Sequence, residues 1–119
     1  MKNDSLDQLR QNLANFAADR DWDQFHSPKN LSMALIAECA ELIEHFQWLT
    51  EEQSSELSVD KKQAVGLEMA DILIYLVRIA DKLDIDLITM ANEKIHLNET
   101  RFPIDKVRGK AGRGVDFKS

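Results

Sequence analysis

Two pairs of carboxylates recur at the same three-residue offset, Glu38-x-x-Glu41 and Glu68-x-x-Asp71. On a helix that offset puts both members of a pair on one face. Leu31, Leu35, Leu42 and Leu49 form one apolar stripe at helical spacing, with Glu38 inside it and Glu41 on its edge. Glu68 and Asp71 share their face with Ala64, Leu67, Ile72 and Tyr75. A carboxylate among core leucines is costly unless something compensates. Two facing pairs are worse, because like charges raise each other's pKa. A divalent cation removes the conflict, and hard oxygen donors of this kind match magnesium, with manganese as the second choice. One such pair alone is more often a solvated face, or pairs with Lys82, Arg78 or Lys94. Two pairs, both inside apolar stripes, weigh against that reading. Glu44, Glu51, Glu52 and Glu56 read as ordinary surface acids.

A second set is cationic. Lys94, Asn98 and Arg101 follow one another at spacings of four and three, so they stack on one helix face above Leu87, Met90 and Ala91. Two cations and an amide in a row suit a chain of phosphates. Taken by itself the set reads more readily as a solvated basic edge pairing with Glu93, Glu99 or the acidic body. Other chemistries find little support. A di-iron bundle needs Glu-x-x-His on two helices. The chain has one such spacing, Glu93 to His96, on a polar face, and His45 lies at the wrong offset from Glu41. No Gly-x-x-x-x-Gly-Lys-Ser/Thr phosphate loop is present. Cys39 sits between two acids, which disfavours a thiolate nucleophile.

The elements that must position these groups are helices. With 4 Gly and 2 Pro in 119 residues, turn punctuation is sparse. Leu6, Leu9, Leu13, Phe16 and Ala17 predict a first helix from about Ser5 to Arg20, capped by Asp4 or Ser5. A connector, 21–27, carries Trp22, Phe25 and His26. Pro28 opens a second helix reaching about Trp48 or Leu49, and 50–58 reads as a loop. A third helix runs from about Val59 to Leu83. A fourth starts behind Asp84 or Asp86, continues to about Arg101 and is ended by Pro103. The expected architecture is all-α, a four-helix bundle. Ile72, Leu73, Ile74, Leu76, Val77, Ile79 and Ala80 surround the third helix. A helix apolar on every side is buried on every side, which predicts a homo-oligomer.

Composition bounds the rest. The net charge of −6 is split. Residues 1–93 hold 8 Lys/Arg against 18 Asp/Glu, whereas 94–119 hold 7 against 3. A broad basic footprint for a nucleic-acid polymer is absent. An acidic body suits divalent cations, and a basic C-terminal segment suits a small polyanion. No apolar run approaches bilayer length, so no membrane partner is expected. With Cys39 the lone cysteine, no intrachain disulfide forms, and the chain reads as cytoplasmic.

At this point the chain resembles the MazG-like all-α nucleoside triphosphate pyrophosphohydrolases, in particular their dCTP pyrophosphatase branch. The family pattern is Glu-x-x-Glu, a gap, then Glu-x-x-Asp, here Glu38 to Glu41 and Glu68 to Asp71. More specific are the run from Phe16 to His26, Phe46-Gln-Trp48, Asp71-Ile-Leu-Ile-Tyr75, and Lys94-x-x-x-Asn98-x-x-Arg101-Phe-Pro103. The resemblance covers about residues 13–103 and implies a MazG-like domain over 1–103, leaving 104–119 as a basic, flexible tail. It implies that Glu38, Glu41, Glu68 and Asp71 bind magnesium and are catalytic. It places Trp22 and Trp48 against the base, and Tyr75, Lys94 and Asn98 near the phosphates or the nucleotide. With His26 and Arg101 these are the expected substrate contacts. It also implies a tetramer. The expected reaction cuts a nucleoside triphosphate, dCTP or a modified dCTP, into monophosphate and pyrophosphate. Alternatives are the same chemistry on dUTP or an oxidised nucleotide, or a non-catalytic bundle whose acids serve metal-dependent stability. Two departures from the pattern are Leu13, where vertebrate members carry a histidine near the base, and Phe102 in place of a tyrosine.

Overall fold

The computed structural model describes residues 5–112, and its regular structure is helical, with no strand among them. Four long helices stand where periodicity predicts them: α1 (Leu6–Asp19), α2 (Pro28–Glu44), α4 (Val59–Lys82) and α5 (Leu87–Arg101). Two short ones, α3 (Glu51–Ser54) and α6 (Ile104–Val107), add to the expected four. The described residues divide into two compact units that part between Asp84 and Ile85.

In the first unit α2 lies along α4, and α1 packs on α4 as well. The core is thin, with Ala17, Leu31, Val65, Val77 and Ala80 as its buried apolar residues. Leu31 anchors it, being the one large apolar side chain that is fully buried among the described residues. Its stripe on α2 is what turns that helix towards α4.

Caps fix the ends. Ser5, Ser27 and Ser58 each accept the backbone N–H three residues on, at 3.0, 3.1 and 3.2 Å. Each satisfies a donor the helix leaves free. The second helix ends at Glu44, short of the expected Trp48 or Leu49. The following residues tighten into i→i+3 turns, with Phe46 N–H on Ile43 O at 2.9 Å and Leu49 N–H on Phe46 O at 2.9 Å. The reason lies downstream. Thr50 is extended and caps α3 in a reciprocal box with Gln53, so the segment read as a loop begins with a helical turn of its own.

α1 ends in a Schellman turn. Trp22 N–H reaches back to Ala17 O at 2.9 Å and Asp21 N–H to Ala18 O at 3.1 Å. Asp21 takes the left-handed position usually given to glycine, at φ 55°. This turn launches the aromatic connector, whose centre is a single 3-10 turn, Asp23–Phe25.

In the second unit Asp86 caps α5 through Thr89 N–H at 3.0 Å. Pro103 stops that helix and leads directly into α6, so Ile104–Val107, at the start of the segment read as a tail, form a helical turn. The part of the expected flexible tail beyond residue 112 lies outside the described residues.

Candidate metal and nucleotide site

α2 and α4 bring the paired acids together. One carboxylate oxygen each from Glu38, Glu41 and Glu68 lies within 4.8 Å of the other two. Glu38 and Glu68 are half-buried and Glu41 is exposed. Asp71, half-buried one turn beyond Glu68, acts on the group through its negative charge. Among the described residues no lysine, arginine or histidine pairs with any of the four.

The electrostatics follow from that isolation. Burial, then the carboxyl groups of Glu41 and Glu68, push Glu38 up to about 7. Burial also raises Glu68, with the charges of Glu41 and Asp71 acting in the same direction. One oxygen of Glu38 and one of Glu68, both Oε2, are buried without a hydrogen-bond partner. A buried carboxylate oxygen with no donor is a costly arrangement. Oxygen-only donors, clustered, uncompensated by cations and partly orphaned, fit a hard divalent ion such as magnesium.

The two tryptophans lie at the surface of the described chain. Trp48, in the turn after α2, is 86% exposed. Trp22 is exposed on the connector, its ring edge-on to Phe16 at 5.8 Å between centroids. His26 is half-buried and Tyr75 half-buried on α4, one turn past Asp71. Lys94, Asn98 and Arg101 lie on α5 in the second unit, the two cations exposed and Asn98 half-buried.

A buried arginine escaped the sequence reading. Arg78 is 4% exposed and ties the connector to α4 through Asp23. Lys82 joins the same carboxylate at 2.6 Å, and together the two cations hold Asp23 below the usual carboxylate range, Lys82 having the larger effect. A signal was available in the i, i+4 spacing of Arg78 and Lys82 opposite an acid-rich connector. Nothing in the sequence, however, says that an arginine is buried.

Residues 34–116 match the MazG-like family. The dCTP pyrophosphatase 1 of Rattus norvegicus is 39% identical over 115 residues, 95% of this chain and 68% of that protein. The Homo sapiens protein of the same name is 38% identical over the same shares. A crystal structure of a pyrophosphatase from Archaeoglobus fulgidus superposes with a TM-score of 0.77 at 36% identity, covering 82% of this chain and 91% of that one. The clustered acids therefore stand in a helical frame and a sequence that both lead to one assignment: the chain belongs to the MazG-like family.

Proposed function

We propose that this chain hydrolyses dCTP, or a dCTP modified on its base, to the monophosphate and pyrophosphate, with magnesium held by Glu38, Glu41, Glu68 and Asp71. The broader class is that of a nucleotide pyrophosphohydrolase, on relatives named dCTP pyrophosphatase and a pyrophosphatase of the same fold. The observation that carries the finer reading is the carboxylate cluster with its two orphaned buried oxygens.

When bound, magnesium supplies neutralisation of the triphosphate charge, stabilisation of charge developing at phosphorus, and a lowered pKa for a coordinated water. The chain's residues do the rest. Glu38, Glu41, Glu68 and Asp71 would hold the ion, and no cationic side chain among the described residues occupies their place. Glu38 or Glu41 would orient a water for attack on the α-phosphorus and take its proton, a new oxygen–phosphorus bond forming as the α–β bridge breaks and pyrophosphate leaves. Trp22 and Trp48 offer faces for a base to stack on. The family resemblance assigns Tyr75 to the nucleotide, and Lys94, Asn98 and Arg101 have the residue types and spacing that suit phosphates.

A homo-oligomer is part of the same reading. Leu73 and Leu76 are 41% and 40% exposed on α4, so one chain does not bury that helix on every side. Met33, Ile36 and Ile43 are exposed on the side of α2 away from Leu31. Contiguous exposed apolar surface marks an interface. Light scattering after size exclusion is expected to give a multiple of the 13.6 kDa chain mass, four chains on the family pattern. No helix among the described residues is long and apolar enough to cross a membrane.

A panel of triphosphates with magnesium tests the activity. Monophosphate plus pyrophosphate is expected, fastest with dCTP or its modified forms. Release of orthophosphate, or no cleavage of any triphosphate, defeats the assignment, and a preference for dUTP or an oxidised nucleotide changes the substrate while leaving the chemistry.

A further inference from the structure

We propose that Arg78 is the positioning residue for the base-binding connector, clamping Asp23 and fixing His26 as a neutral imidazole that carries its proton on Nε2. The geometry is a fork. One terminal nitrogen of Arg78 donates to Asp23 Oδ1 at 2.9 Å and meets His26 Nδ1 at 3.3 Å. The other donates to Asp81 Oδ2 at 3.3 Å, and Asp81 in turn accepts from Arg10 on α1 at 3.2 Å. Connector, α1 and α4 are thus joined through one buried guanidinium.

A guanidinium has donors only, so the atom facing it must accept. His26 Nδ1 therefore carries the lone pair, and in the neutral ring the proton sits on Nε2. An imidazolium would aim an N–H at the arginine. Charged groups around the ring act mostly in the same sense. Burial and the charges of Arg78 and Lys82 push His26 down, opposed by Asp23 alone. No described residue takes up Nε2–H, which leaves it as the group His26 offers a ligand. A fixed donor recognises an acceptor such as a base carbonyl or an unprotonated ring nitrogen, and discriminates against an amino group at the same place.

Arg78 is seven residues past Asp71 on α4, on nearly the same face and about 10 Å along the axis. The clamp thus sits beside the acid cluster without being part of it. That the connector meets the nucleotide rests on the function proposed above, whereas the tautomer does not.

The test uses the full chain labelled with 15N. Long-range proton–nitrogen spectra at pH 7 are expected to show His26 as the Nε2–H tautomer, with or without nucleotide. Arg78→Lys is expected to keep the helix content and oligomer of the parent, to raise KM for dCTP about 10-fold, and to leave kcat within about twofold, as loss of orientation in a supporting contact does. The KM effects of Arg78→Lys and His26→Ala are expected to be non-additive, because one acts through the other. If Arg78→Lys does not fold, Asp23→Asn at its more exposed position carries the same comparison. An Nδ1–H or charged His26 in the parent overturns the clamp, as do additive KM effects. A parent chain that cleaves no triphosphate sinks the function proposed above, while the spectra still decide the tautomer.

Discussion

Glu38 on α2 and Glu68 on α4 bring carboxylate oxygens within 4.8 Å of each other, and each keeps an oxygen buried without a donor. Glu38, pushed up to about 7 by burial and by its acidic neighbours, carries the consequence into solution. Its ordinary value is 4.5, so between 4.5 and about 7 the folded chain binds a proton that the unfolded chain has lost. Stability falls with pH wherever the folded state holds more protons. The metal-free protein is therefore expected to lose thermal stability as pH rises from 4.5 through 7, and to change little from this group above that. Glu38→Gln is expected to flatten the profile. Calorimetry with a chelator present checks it, and a midpoint that rises over this window contradicts the assignment.

Magnesium is expected to reverse that trend. Ligands must shed protons to bind a cation, so stabilisation by added magnesium is expected to be large at pH 8 and to fade below about pH 7, the value to which Glu38 is pushed up. Thermal shifts across a pH series measure this. Equal shifts at pH 5 and pH 8 argue that the ion binds elsewhere.

Glu38→Gln and Asp71→Asn are each expected to reduce dCTP turnover at least 100-fold, because removing a ligand of the ion forfeits several kcal/mol of charge stabilisation, and each 1.36 kcal/mol is tenfold in rate. The oligomer is expected to remain. Pyrophosphate release at the parent rate in either variant refutes the proposed cage.

Trp48 is among the most exposed large apolar side chains of the described residues. Trp48→Ala is expected to leave the unfolding midpoint unchanged while raising KM about 10-fold, since stacking is worth about 1–3 kcal/mol per base. A fall in stability with KM unchanged moves the ring from the nucleotide to an interface.

Asp84 ends α4 at φ 54°, a left-handed position, with its charge at the negative end of the helix dipole. Asparagine tolerates that conformation and removes the charge. Asp84→Asn is expected to stabilise the chain by about 0.5–1 kcal/mol, read as a higher midpoint in denaturant or heat. A lower midpoint contradicts it.

The four long helices and the two acid pairs were legible in the sequence, because period and i, i+3 spacing are local properties of the chain. Leu31 and its stripe told which side of α2 turns inward, and with it that Glu38 lies near the core. Where α2 stops was less legible, since Phe46 to Leu49 continue the pattern while Thr50 competes for the backbone. That Glu38, Glu41 and Glu68 converge, and that two of their oxygens lose every donor, depends on how α2 lies against α4. The burial of Arg78 is equally a tertiary decision. A long cationic side chain reads as surface, and only the meeting of α1, the connector and α4 gives it Asp23, Asp81 and His26 as partners. Local pattern determined which groups were available for chemistry, whereas packing decided which of them share a dielectric and a neighbour.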